Sequence, residues 1–174
     1  MKFQQIVESI LLLCSLLTSN LYADESSDWE KLITKRGCLM SSTDINFTMA
    51  GSIFEKKDWQ VFFEMARKDE KTFLYVISKF SSRRETEIHI CNFKYATEGE
   101  VAVFVAQQII RKNWYSYDGN DRGLRQMAGK NVVQKALLLN DILSDKIMCE
   151  ALKKYFIEKY KLTKKCFFDS LCHE

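Results

Sequence analysis

Proline does not occur anywhere in this sequence. Its absence excludes proline-rich linkers and leaves long helices uninterrupted. Histidine is nearly as scarce, with His89 and His173 the only two. A zinc site built on His89 and Cys91 would need two more ligands, and the only other histidine is His173, beside Cys172. The six glycines form no phosphate-cradling loop, and no serine elbow or paired CxxC motif is present. The formal net charge is only +3. Nucleic acids and anionic membrane surfaces call for basic residues concentrated on one face, so neither is an expected partner. The basic pairs Lys153-Lys154 and Lys164-Lys165 have acidic residues interleaved nearby and read as solvated helix faces.

The longest apolar run, Ile10 to Leu17, stops at polar Thr18, Ser19 and Asn20. It falls short of the roughly 20 residues a membrane-spanning helix needs. It has instead the length of the apolar region of a secretory signal, preceded by positive Lys2 and followed by small Ala23 before the acidic stretch Asp24–Asp28. Cys14 follows Leu13 inside the run, which does not suit a lipoprotein anchor. Residues 1–23 are therefore expected to be a cleaved signal peptide and residues 24–174 a single helical domain. Such a chain would be periplasmic or secreted, with no stable membrane anchor after cleavage.

Export changes the reading of cysteine. Cys38, Cys91, Cys149, Cys166 and Cys172 would remain, and in an oxidising compartment they are candidate disulfide partners. The odd number leaves one thiol over. Residues 144–160 pattern as one helix and Thr163–His173 as a shorter one. An antiparallel hairpin turning near Tyr160-Lys161 would place Cys149 opposite Cys172. That pairing is favoured, with Cys38–Cys91 second and Cys166 left over.

The rest of the chain reads as mostly α, a small single-domain helical bundle or a short solenoid of helix pairs. Trp29–Arg36 suggests a helix capped by Ser27 or Asp28 and stopped by Gly37. Asp58 is a candidate cap for Trp59–Arg67, where Trp59, Phe62, Phe63 and Ala66 form one stripe. Asp69 is the candidate cap for Glu70–Phe80, with Phe73, Val76, Ile77 and Phe80 at helical spacing. Thr97-Glu98-Gly99-Glu100 is a capping box opening Val101–Trp114, with Val101, Phe104, Val105, Gln108, Ile109 and Lys112 along one face. Asn131–Leu139 and Ser144–Tyr160 complete the set, the latter with Cys149, Leu152, Phe156 and Tyr160 in line. Residues 44–106 admit an alternative. Ile45–Met49 and Ile88–Cys91 alternate with period two, and the neighbourhood is rich in β-branched and aromatic residues. An α+β fold with a short antiparallel meander there would fit as well, because short apolar runs do not settle the question by periodicity.

The candidate chemistry is thin. His89 and Cys91 would share a face on a strand, as a nucleophilic dyad requires, but export favours a bridge over a thiolate. Glu98 and Glu100 form an acidic pair of the kind that serves glycoside hydrolysis, yet the capping box already employs Glu100. Asp118–Gly123 resembles a calcium loop until Arg122 and Gly129 occupy the places of oxygen ligands. Asn46-Phe47-Thr48 is a glycosylation sequon, relevant in a eukaryotic host. Trp114, Tyr115 and Tyr117 cluster at a helix end and are the candidate partner-binding residues, since Trp and Tyr concentrate at interface centres.

No cofactor, no metal and no catalysis are expected from this inventory. The reading that remains is an exported small binding protein whose partner is another protein, such as an immunity protein or inhibitor blocking a toxin enzyme. The alternatives are an exported hydrolase using His89 or the acidic pair, and a secreted effector. Nothing in the letters sets the oligomeric state.

Overall fold

Helix α4, Glu98–Ile110, is buried on almost every side, with neighbours among both the helices and the strands of residues 33–174. A helix apolar all round has no solvent face to offer and takes the centre of a fold. In the computed structural model, which describes residues 26–39, 51–90, 94–116 and 132–169, the packing is that of a mostly helical protein. Residues 26–33 form α1, followed by β1 (Gly37–Cys38) and a 3-10 turn at Ile53–Glu55. Then come α2 (Lys57–Lys68), α3 (Glu70–Ser78), a second 3-10 turn (Lys79–Ser81), β2 (Glu85–Ile90) and β3 (Lys94–Thr97). After α4 come a turn at Trp114–Ser116, then α5 (Val132–Ser144) and α6 (Lys146–Asp169). Among the described residues no helix is long and apolar enough to cross a membrane. The signal-peptide reading of residues 1–23 lies outside the described residues.

The chain divides into two units, Met1–Leu32 and Ile33–Glu174. In the first, Trp29 and Leu32 are buried, and Lys31 pairs with Asp28 at 2.9 Å across one turn. The helix begins before Trp29 and ends before Thr34, so Ser27 and Asp28 lie inside it rather than capping it. Gly37, expected as a helix stop, is a strand residue whose place of a side chain is closed. A Cβ there would lie 2.9 Å from Cδ1 of Ile53.

In the second unit α4 packs against α2, α3, α5, α6 and both longer strands. A solenoid, in which each repeat touches only its neighbours, is thereby excluded in favour of a bundle. The expected stripes are the buried ones: Trp59, Phe62, Phe63 and Ala66 on α2, then Phe73, Val76 and Ile77 on α3 with Phe80 beyond, and Cys149, Leu152, Phe156 and Tyr160 on α6. Phe54 of the first 3-10 turn meets Trp59 and Phe63 edge-on, with ring centres 5.0 and 5.3 Å apart. Several boundaries differ from expectation. Helix α4 ends at Ile110, leaving Lys112 beyond it, and α2 starts at Lys57, with Asp58 in its first turn accepting from the Trp59 N–H at 3.0 Å.

The β-rich segment is a hairpin with one short parallel neighbour. The strand order is β1-β2-β3, with Gly37 opposite Ile88, and His89 opposite both Cys38 and Tyr95. Strand β2 alternates as a half-buried strand must, with Thr86, Ile88 and Ile90 inward. The meander envisaged over 44–106 thus contracts to residues 85–97, because 57–81 and 98–110 are helical; Ile45–Met49 lies outside the described residues.

Caps fix the helix starts. The Thr97 hydroxyl accepts from the Glu100 N–H, and the Glu100 carboxylate accepts from the Thr97 N–H at 2.8 Å, the reciprocal pair of a capping box. Asp145 caps α6 by accepting from Ile147 and Met148. Asp69 caps α3, accepting from the Thr72 N–H at 2.8 Å and the Thr72 hydroxyl at 2.6 Å. Burial works against the Asp69 charge, but the bonds from Thr72 and Lys71 and the Lys71 charge outweigh it and hold the carboxyl below its ordinary value. A depressed folded-state pKa stabilises the fold above the unfolded carboxylate pKa of about 3.9, and this contribution fades as pH falls through the lower folded value. Asp69→Ala is expected to cost about 1 kcal/mol at neutral pH. Urea unfolding should show the gap from the native chain narrowing as the pH is taken below about 3.9.

Candidate functional site

The ends of two helices and the side of a third meet around a cavity of about 320 Å³. Its walls come from the last turns of α2 (Glu64, Arg67, Lys68), the end of α4 (Ile109, Ile110, Arg111) and the outer half of α6 (Tyr160, Thr163, Lys164). Arg67 and Lys68 in the last turn of α2, and Arg111 at the cap of α4, stand where helix physics favours cations. A helix C-terminus carries partial negative charge and unsatisfied carbonyls, which cations complement.

Arg67 does this across elements. Its guanidinium donates to the carbonyls of Gln108 at 3.0 Å and Ile109 at 3.3 Å, closing the end of α4, and it also pairs with Glu64 at 2.5 Å. Arg111 ends α4 with φ 55, the left-handed cap conformation that glycine usually supplies. The floor is made by Ile109, Ile110 and Tyr160, all almost fully buried. The Tyr160 ring stacks on Phe73 with centres 4.0 Å apart and planes 6° apart, and its hydroxyl donates to the carbonyls of Ala66 and Arg67. Burial, with the carboxylates of Glu70 and Asp69 nearby, pushes the Tyr160 phenol up to about 12, so it remains a neutral donor at physiological pH. The Lys164 ammonium lies 5.2 Å from the centre of the Tyr160 ring, within cation–π range.

The charge around this opening is one-sided. Arg67, Lys68, Arg111 and Lys164 face one carboxylate, Glu64, which Arg67 already holds. Among the described residues no carboxylate pairs with Lys68, Arg111 or Lys164. An apolar floor with a charged rim is the anatomy of a binding pocket for an apolar group that carries opposite charge beside it.

The residues singled out from the sequence lie elsewhere. Trp114 is 3 % exposed, its N–H bonded to the Gln107 side chain at 3.1 Å and its ring edge-on to Tyr115. It is a core residue, not a surface anchor. The Tyr115 phenol is raised by burial, and Tyr117 lies outside the described residues. His89 stacks on Tyr95 across the hairpin, with ring centres 4.0 Å apart, while Cys91 is outside the described residues. Glu98 is buried against Ser82, Arg84 and Lys79. Glu100, also buried, is held by Lys94 and the capping box. Both carboxylates are thus committed to holding the start of α4, and neither lines the cavity. The Asp118–Gly123 turn and the Asn46 sequon lie outside the described residues.

Cys38 and Cys149 carry free thiols, while their expected partners Cys91 and Cys172 lie outside the described residues. The hairpin invoked to bring Cys149 to Cys172 does not form. One helix runs through Tyr160-Lys161 to Asp169, and twenty residues of helix span roughly 30 Å. The segment Tyr160–Thr163 contains neither glycine nor proline, so nothing breaks the helix there. Burial pushes the buried Cys149 thiol up, with Glu150 adding to this and Lys153, Arg83 and a Ser81 hydrogen bond opposing it.

The cavity itself was not foreseen. By sequence Lys164 reads as part of a solvated face, and no spacing announces that α2, α4 and α6 converge. The chain matches no protein-family model, and no curated protein or solved structure matches it.

Proposed function

We propose that this chain is an exported binding protein that grips another protein, in the manner of an inhibitor or immunity protein, and that the cavity where α2, α4 and α6 converge is its anchor site. The observation that carries this reading is the pairing of an apolar floor (Ile109, Ile110, Tyr160) with a rim of four cations and one occupied carboxylate. Export rests on the three-zone pattern of residues 1–23. Binding energy in protein interfaces concentrates in desolvated central pockets, while rim charges steer the approach. The cavity offers both in one place. The helices framing it are docked on the core, so a partner meets a preformed surface rather than ordering one.

The test is affinity capture of the tagged, exported chain from its own producer, run beside Thr163→Trp. Thr163 is exposed on α6 at the cavity wall, so the indole fills the opening without touching the core. The expected result is one stoichiometric partner held by the native chain and lost from the variant. A partner retained equally by both would place the interface elsewhere, and capture of no partner would contradict the inhibitor reading.

A further inference from the structure

We infer that the element seated in this cavity is an acidic protein segment: one aliphatic or aromatic side chain entering the opening, flanked by carboxylates that meet the rim. The inference rests on the binding reading above and adds the chemistry of the partner.

The rim charges differ in how far the fold already commits them. Arg67 bonds two α4 carbonyls and Glu64, so its guanidinium is tied to the fold. Lys68, Arg111 and Lys164 line the same opening with no carboxylate paired to them among the described residues. A neutral or basic segment laid over this rim would desolvate three cations without compensation, which is costly. An acidic segment replaces the lost water with ion pairs.

The floor selects the anchor. The Tyr160 hydroxyl already donates to two carbonyls, and Ile109 and Ile110 have no polar side-chain atoms. A polar side chain entering here would lose its hydration and find no partner, whereas an apolar one gains burial. A volume of about 320 Å³ sits at the low end of ligand pockets. It suits one bulky side chain with its adjoining backbone rather than a whole helix face.

Nucleic acid shares the negative charge but not the fit. Single strands gain affinity by stacking bases on open aromatic faces. One face of the Tyr160 ring is covered by Phe73, and the Lys164 ammonium stands over the ring. The cavity therefore offers no platform for a base.

The experiment is fluorescence titration of the full exported chain with labelled short peptides. The probes are an acidic peptide with one central phenylalanine, the same peptide with serine at the centre, and a basic peptide with the phenylalanine; a short oligothymidylate is the nucleic-acid arm. The acidic phenylalanine peptide should bind best, with affinity falling about tenfold on the serine exchange. A similar loss is expected in the triple variant Lys68→Gln, Arg111→Gly, Lys164→Gln, and on raising salt from about 50 to about 200 mM. Glycine suits the left-handed conformation at 111, so the variant removes charge without straining the cap. A melting curve checks its fold, and Thr163→Trp, which keeps every rim charge, must also lose the peptide. Equal binding of all peptides, retention by either variant, or preference for oligothymidylate would overturn the inference. Peptide binding with no partner captured from the producer would leave this inference standing and count against the inhibitor reading alone.

Discussion

Gly99→Ala is expected to destabilise the protein by about 3 kcal/mol, although Gly lies in a helix, where alanine normally gains about 1 kcal/mol. Gly99 is the second residue of α4 and packs on the backbone of the preceding 3-10 turn. A Cβ would lie 2.5 Å from the Phe80 carbonyl oxygen and 2.8 Å from that of Ser82. Both obstacles are backbone, so no rotamer change relieves them. The same contact is strapped by hydrogen bonds from Glu98 N–H to the Arg84 carbonyl at 2.7 Å and from Gly99 N–H to the Ser82 carbonyl at 3.2 Å. The sign of the change makes the measurement decisive. Urea unfolding should place the variant well below the native chain, and a stabilised variant would show that α4 does not start against residues 80–84.

The second large effect is Phe156→Ala, expected to cost about 3–5 kcal/mol, the range for truncating a buried aromatic. Phe156 is fully buried on α6 and stands edge-on to Phe80, with ring centres 5.5 Å apart. Edge-to-face pairs add to the area term. The contact matters beyond stability, because α6 carries Tyr160, Thr163 and Lys164 to the cavity. Phe156→Leu should cost much less by keeping most of the volume. A loss below about 1 kcal/mol for the alanine variant would mean that α6 is not docked as described.

These two residues mark where the sequence could and could not be read. Phe156 belongs to a stripe with Cys149, Leu152 and Tyr160, and helical periodicity is enough to assign it to the core. Thr97 and Asp69 were equally legible, because a cap is a local bond between residues three apart and its chemistry is written in adjacent letters. Gly99 is different. Its glycine is required by the approach of Phe80 and Ser82, a tertiary contact that local pattern does not encode. Trp114 was misplaced for a related reason, since an aromatic at a helix end is chemically suited to an interface or a core and only packing decides. The split of residues 57–110 into helices around a hairpin also depends on packing, since short apolar runs suit either structure. The α6 hairpin was an error of another kind. Neither glycine nor proline stands near Tyr160-Lys161 to stop the helix, so the turn expected there has no local cause. The cavity lay furthest from view. Arg67, Arg111 and Lys164 are far apart in sequence, and each alone reads as a cation at a helix surface.

The most direct test of the account is the dissociation constant of the captured protein partner for the native chain and for Thr163→Trp, measured by titration under one buffer. If the cavity receives the partner's anchor, filling it should weaken binding by about thirtyfold or more, the scale of losing one interface hot spot, while the melting temperature stays near that of the native chain. Equal affinities in the two folded proteins would contradict the assignment of this cavity as the binding site.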